Sequence, residues 1–277
     1  MRSGFPQGED EGMRKNLTYF LTFPIFLTFP IFPTRHPPPP YTEEDRSPRT
    51  FPMDLEQIST QLKSEDSKDR MLALASLRDV PAAQAAPLIR QALNDKNLQI
   101  RSMAVFALGL KPDEESFDIL INLLQADPDY GIRADAAGAL GYLEDPRAFE
   151  TLVRAFYEDT DWLVRFSAAV SLGNLKDPRA HDVLMQALQS KETVMQQAAI
   201  AAVGEIGDLE AVDEILKFAQ SEDWLVRQRL AEALGYLPTP KTEPALRYLE
   251  KDAQFQVAES ARISLTRLYN RKGSQSK

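Results

Sequence analysis

The chain has 277 residues, of which 43% are hydrophobic and 26% charged, enough for a soluble core. It contains no cysteine, which excludes disulfides, cysteine-ligated zinc, cysteine-held iron–sulfur clusters and a thioether link from this chain to a chromophore. Its net charge of −9 argues against nucleic acid as a partner, because phosphate binding needs clustered lysine and arginine.

Residues 1–52 differ in composition from the rest of the chain. They hold 10 of the 19 prolines and a tandem hexapeptide, FLTFPI at Phe20–Ile25 and again at Phe26–Ile31. The apolar run Leu17–Phe32 has 16 residues, shorter than the roughly 20 that span a bilayer. Pro24 and Pro30 would also break it as a helix, so we expect no membrane span.

Three interpretations of residues 1–52 stay open. Met53 lies just before a well-formed helix start, so translation from Met53 would leave this segment unmade. Otherwise it is a disordered tail, or an export or membrane signal. Met13-Arg14-Lys15 and the apolar run resemble a signal peptide, but no small-residue cleavage site follows them. We expect a cytoplasmic protein whose folded domain covers 53–270, with 271–277 as a disordered tail.

The rest of the chain is a repeat array. Five glycines recur at steps of 32, 32, 31 and 31 residues: Gly109, Gly141, Gly173, Gly204 and Gly235. Eight residues before each glycine is a site that we call the ladder position. It holds Arg101, Arg133, Arg165, Gln196 and Arg227 in units two to six. Unit one has Arg70 in register, and a seventh half-unit has Ala258. A period this regular indicates stacked two-helix units, which present an extended binding surface.

Each unit is predicted to be a helical hairpin. In unit four, apolar residues fall at helical spacing on one face of the first helix: Val164, Ala168, Ala169, Leu172 and Leu175. Asp177-Pro178 then begins the second helix, because aspartate is a good N-cap and proline is tolerated at the first helical position. The glycine allows close packing or a helix stop near the end of the first helix.

These patterns predict an all-α fold, a right-handed α-solenoid with a cap helix at Asp54–Lys63, six hairpins and a closing helix. The segment Asp159–Leu188 resembles the HEAT-like repeat of the phycobilin lyases of the E/F type, and the resemblance covers Asp66–Tyr269. Relatives implied by it are two-chain lyases that attach bilins to phycobiliproteins, a phycobilisome-degradation factor and a HEAT-repeat protein that partners an iron–sulfur assembly scaffold. The matching residues are structural, so the resemblance identifies the repeat and not the activity.

No catalytic or metal site is expected. Deoxyhypusine hydroxylase uses the same repeat type with His-Glu pairs that hold two irons, but this chain has only His36 and His181. His181 is followed by Asp182, so those ligand pairs are absent and we interpret His181 as an ordinary surface or interhelix residue. We therefore predict no catalytic residue, no metal and no cofactor, with a bilin only under the lyase hypothesis below.

The ladder arginines are predicted to be structural. Asp95, Asp127 and Asp159 each precede a ladder position by six residues, and such acids commonly pair with arginines of a neighbouring unit. We expect this role for Arg101, Arg133, Arg165 and Arg227. Gln196 interrupts the ladder, which suggests a softer joint around unit five.

Two sets of residues are candidates for partner binding. Aromatic residues lie three residues before the ladder position at Tyr130, Trp162, Trp224 and Phe255, where they either pack between units or bind a partner or a flat tetrapyrrole. On the second helices, Arg147, Arg154, Tyr157 and Arg179 are expected to face outward on the concave side. They would form a solvated face, or bind acidic groups such as bilin propionates.

Three hypotheses on function follow. The first is a non-catalytic scaffold or adaptor whose client is a phycobiliprotein or a cofactor-assembly protein. The second is a subunit of a bilin lyase, which would bind the chromophore and deliver it to a client cysteine. The third is a generic repeat scaffold without any connection to pigments.

Overall fold

The computed structural model describes residues 54–275, with side chains to residue 270. This range contains fourteen α-helices and no strand. The helices are α1 (Leu55–Gln61), α2 (Ser67–Ser76), α3 (Ala82–Ala92), α4 (Leu98–Leu110), α5 (Ser116–Ala126), α6 (Tyr130–Leu143), α7 (Phe149–Glu158), α8 (Trp162–Asn174), α9 (His181–Leu188), α10 (Thr193–Ile206), α11 (Val212–Leu216), α12 (Trp224–Leu234), α13 (Thr242–Leu249) and α14 (Phe255–Gln275). The predictions for residues 1–52 and for Met53 as the start lie outside the described residues.

The predicted α-solenoid is confirmed. Helix α1 is the cap, and six hairpins follow as α2/α3, α4/α5, α6/α7, α8/α9, α10/α11 and α12/α13. Helix α14 closes the array and continues to Gln275, past residue 270, where the sequence analysis ends the domain. No described helix has the length and apolar character needed to cross a membrane.

Short polar side chains set where the helices begin. Asp129, Asp161 and Asp223 each accept a hydrogen bond from a backbone N–H in the first turn of α6, α8 and α12. The predicted Asp-Pro starts also hold, because Asp145 and Asp177 cap the 3₁₀ turns that lead into α7 and α9. Each hairpin is therefore specified largely by local sequence.

The first helices of the units (α2, α4, α6, α8, α10, α12 and α14) pack tightly on one another along the array. A Cβ placed on Gly109 would lie 2.8 Å from the Cβ of Ala139, and one on Gly204 would lie 2.7 Å from the Cα of Ala233. Even a methyl group does not fit at these contacts. The predicted role of the glycines in close packing is confirmed at these two joints.

The second helices of neighbouring units contact one another much less. Side chains bridge the wider gap: the guanidinium of Arg147 lies 4.1 Å over the ring of Phe117, and that of Arg179 lies 4.0 Å over Phe149. Because a stack curves toward its more closely spaced layer, we expect the first helices to lie on the inner side of the repeat domain. The sequence analysis expects the second helices there, but the contacts between helices favour the first helices.

Candidate partner-binding surfaces

The ladder residues share one contact with their own unit. Each donates a hydrogen bond of 2.6 to 3.0 Å to the backbone carbonyl oxygen six residues earlier. Gln196 makes this bond through Nε2 to the carbonyl of Ser190, at 2.7 Å. The ladder side chain thus ties down the loop that enters its helix, and glutamine preserves this part of the arginine's role.

Some ladder arginines also reach the next unit. Arg133 donates from Nε and Nη2 to the two carboxylate oxygens of Asp159, at 2.8 and 3.0 Å. Arg227 pairs with Asp252 in the same forked geometry, and its hydrogen bonds hold the pKa of Asp252 below the usual value. Arg70 of unit one pairs likewise with Asp95.

The remaining joints lack this pair. Within the described residues, no ion pair joins Arg101 to Asp127, although the spacing suggested one. Arg165 has no aspartate to reach, because Ser190 occupies the corresponding position of unit five. Gln196 cannot form such a pair, so unit five alone among the described units has no arginine–aspartate ladder pair to either neighbour.

Two of the four candidates on the second helices, Arg147 and Arg179, make contacts within the array. Arg147 donates to Asp145 at 2.6 Å, and Arg179 donates to Asp177 at 2.7 Å while covering the ring of Phe149. Each of these two guanidinium groups is held by its own unit and by a ring of the preceding unit, and the two do not converge on an open site. Their unit-three neighbours Arg154 and Tyr157 are exposed on α7, and the Tyr157 ring meets Phe156 edge-on.

The four candidate aromatic residues each open a first helix. Phe255 is 69% exposed and Tyr130 is 41% exposed. The two tryptophans are half-buried, and the Trp162 ring lies 6.5 Å from that of Phe166, one turn further along α8. The tryptophans thus combine packing with a partly accessible surface, whereas Tyr130 and Phe255 are exposed.

A surface that the sequence analysis missed lies on the inner side of the first helices. We call it the inner face; it comprises the positions one, two, five and nine residues after each ladder position. In units two to four these positions hold a set of apolar residues that are half-buried or exposed: Met103, Phe106, Leu110, Tyr142, Phe166 and Val170. In units five to seven they hold mainly polar residues, among them Gln197, Gln228, Arg229, Glu232 and Arg267.

One carboxylate lies within the apolar half of the inner face. Asp135 accepts a hydrogen bond of 2.5 Å from the hydroxyl of Ser102, and burial raises its pKa to about 7. Gly138, one turn later on α6, has open space where a side chain would stand. Beyond it, the rings of Phe106 and Tyr142 meet edge-on at 5.6 Å. The inner face could have been found from the sequence. The residues at its positions differ from unit to unit, whereas the buried packing residues next to them stay the same.

No group of His, Asp and Glu side chains in the described part of the chain is arranged to hold a metal ion. The model of the HEAT repeat family matches residues 55–141, 117–202 and 181–266. The chain belongs to the HEAT repeat family. No curated protein sequence matches it significantly.

Solved structures show the same fold. Phycocyanin lyase from Nostoc sp. PCC7120, in the complex of CpcE and CpcF, is similar over 83% of this chain and 99% of its own, with 20% identity and a TM-score of 0.55. Kap95p, in a structure with RanGDP, is 15% identical over 78% of this chain and 35% of its own, with a TM-score of 0.51. Human deoxyhypusine hydroxylase is 20% identical over 78% of this chain and 96% of its own, but its TM-score of 0.39 is too low to support an argument.

Proposed function

We propose that this HEAT repeat protein is a non-catalytic scaffold, and that it binds a phycobiliprotein or another protein of cofactor assembly. The observation that supports binding is the inner face, where units two to four present rings and a methionine that the packing of the array does not fully cover. Aromatic residues and methionine are enriched at protein interfaces, and they supply most of the binding energy where they lie near the centre.

The connection to pigment assembly is supported by two likenesses. The unit pattern of Asp159–Leu188 resembles the repeat of phycobilin lyases, and the fold is similar to chains of phycocyanin lyase. Both likenesses concern residues that build the array, so they favour a client from that setting without naming it.

A bilin lyase subunit is the second candidate function. The partly accessible rings of Trp162 and Phe166 could stack against a flat tetrapyrrole, and the exposed Arg154 could bind a propionate. In this case the chain would bind the bilin itself, whereas the scaffold would bind only the client. A generic scaffold without a pigment connection would bind neither.

Native purification of the tagged full chain from its own cells, with the visible spectrum of the eluate recorded, separates these functions. We expect co-elution of phycobiliprotein subunits, and no bilin bound once the client has been stripped away. Bilin retained by the stripped chain would favour the lyase subunit. A colourless eluate with an unrelated protein would remove the pigment role and leave the generic scaffold.

A further inference from the structure

Every joint between neighbouring units is bridged by a side chain of a second helix, or of the turn that leads into one. At five joints this side chain is an arginine or a lysine: Arg90 to Asp113, Arg147 over Phe117, Arg179 to Glu150, Lys241 to Asp213 and Arg247 to Tyr269. At the joint between units four and five it is His181, which contacts Asp208. Arginine and lysine stay charged near neutral pH, whereas histidine titrates there.

The pair of His181 and Asp208 ties the start of α9 to the turn that leads into α11. Oδ2 of Asp208 lies 2.6 Å from Nδ1 of His181. Oδ1 of the same carboxylate accepts hydrogen bonds from the backbone N–H groups of Glu210 and Ala211, at 3.1 and 3.3 Å. The carboxylate is therefore fixed by its own unit, with 11% of its side chain exposed, and His181 provides the link to unit four.

Three carboxylates lie around the imidazole of His181. Asp208 and Glu210 face it from unit five, and Asp182 follows it on α9. The hydrogen bond to Asp208 raises the pKa of His181 above its ordinary value, although burial opposes this shift. The pair is therefore charged below about pH 6.5 and loses its charge as the pH rises through the raised pKa. A neutral imidazole can still share a hydrogen bond with Asp208, but charge-assisted hydrogen bonds are roughly twice as strong.

The joint between units four and five has no ladder pair that could take over from the His181 pair. Ser190 stands where Arg165 would need an aspartate, whereas Asp159 meets Arg133 one joint earlier. Helix α11 has five residues, fewer than any other second helix, so it offers α9 the shortest surface to pack against. The first helices α8 and α10 remain closely packed at this joint.

We propose that the joint between units four and five is a pH-sensitive hinge, in which protonated His181 holds the two units together at their second helices and neutral His181 lets them move apart. The packed helices α8 and α10 are its pivot. The joint separates the apolar half of the inner face, in units two to four, from the polar half in units five to seven. Opening of the hinge changes the angle between these halves, whichever client the array binds.

The test is hydrogen exchange of the full chain at about pH 6 and about pH 8, corrected for the intrinsic pH dependence of amide exchange. In the parent we expect amides in 207–216 to open severalfold more often at the higher pH. His181→Gln should open equally often at both pH values. His181→Lys places a permanent cation opposite Asp208, as Lys241 lies opposite Asp213, and should keep the joint closed at both.

Lys241→Gln is the matched control, because it removes the corresponding cation at the joint between units five and six. It should raise the frequency of opening by the same factor at both pH values, since lysine is charged at both. A second readout measures the hinge motion itself. The chain has no cysteine of its own, so spin labels on Arg154→Cys and Tyr248→Cys report the distance between units three and six. We expect a wider distribution of distances at the higher pH in the parent, and no change with pH in His181→Lys.

Two results would overturn the hinge. Corrected exchange that is independent of pH, or that depends on pH equally in His181→Gln, would show that His181 does not control this joint. Exchange that depends on pH while the distances stay constant would show that the turn before α11 opens locally and that units four and five do not move. Asp135 titrates in the parent and in the His181 variants alike, so its contribution cancels from the comparison.

Discussion

Asp135 is the residue whose surroundings differ most clearly from those that a carboxylate prefers. A carboxylate usually ionises near pH 4, but burial in the inner face raises the pKa of Asp135 to about 7, and Asp129 adds repulsion in the same direction. The hydrogen bond from Ser102 opposes this shift without cancelling it. Keeping a carboxylate in such a place costs stability whenever it is ionised.

Because ionised Asp135 destabilises the folded chain, we predict that the effect of Asp135→Asn on the free energy of unfolding depends on pH. Between about pH 4 and about pH 7 the folded chain holds a proton that the unfolded chain has lost, so the stability of the parent falls as pH rises. The variant has no such loss. We expect its free energy of unfolding to exceed that of the parent by about 1–3 kcal/mol at about pH 8, and by little at about pH 4.5.

The measurement is urea unfolding of parent and variant at both pH values. His181 complicates the parent's own curve, because its hydrogen bond to Asp208 raises the pKa of His181. The stability from that pair is present below the ordinary histidine pKa and is lost as pH rises through the raised value. Only the difference between variant and parent isolates Asp135. An equal difference at both pH values would show that the carboxylate ionises normally.

At the scale of the element, two of the three glycines of helix α6, Gly138 and Gly141, lie in opposite surroundings. A Cβ on Gly141 would lie 2.8 Å from the Cβ of Ser171 on α8, whereas a Cβ on Gly138 would meet nothing within 4 Å. Gly141 is therefore required by the approach of two helices. Gly138 weakens the helix without a packing reason, and it leaves space in the inner face.

Gly138 and Gly141 make a matched pair of substitutions. Gly141→Ala should destabilise the protein by about 1–3 kcal/mol, because the added methyl group must push α8 away. Gly138→Ala should stabilise it by about 0.5–1 kcal/mol, since alanine is the better helix former and meets open space. Thermal unfolding of both variants tests this. Equal effects would mean that helix propensity, and not the contact with Ser171, decides both positions.

The sequence predicts such elements well because their determinants are local. The Asp-Pro starts of units three and four, the aspartate caps and the glycines of units two to six are read within a few residues, and the structure has them in place. Whether the first or the second helices lie on the inner side depends on the spacing between neighbouring units. That spacing is set by contacts between distant residues, such as Arg147 over the ring of Phe117. The sequence analysis therefore expects the second helices on the concave side, where the contacts favour the first helices, and it does not identify Asp135 or Phe106.

At the scale of the molecule, the array is not held equally at every joint. Ladder pairs join units one and two, three and four, and six and seven, through Arg70, Arg133 and Arg227. Unit five has none, and its second helix α11 has five residues before the chain continues as a 3₁₀ turn. Because each unit of a solenoid contacts only its neighbours, a weak unit lowers cooperativity locally.

Unit five is therefore where the array should open first. We expect backbone amides in 193–220 to exchange with solvent about tenfold faster than those of units three and four, because local opening there breaks no ladder pair.

Ser190→Asp places a carboxylate where Arg165 can reach it, as Asp159 is reached by Arg133, and should slow this exchange severalfold. Ser221→Asp is the matched control: it adds the same carboxylate opposite Gln196, which cannot form an ion pair with it, and should slow exchange severalfold only when combined with Gln196→Arg. Hydrogen exchange followed by mass spectrometry makes the comparison. Uniform protection across units three to five would mean that the alanine-rich packing of α10, and not the ladder, sets the strength of these joints.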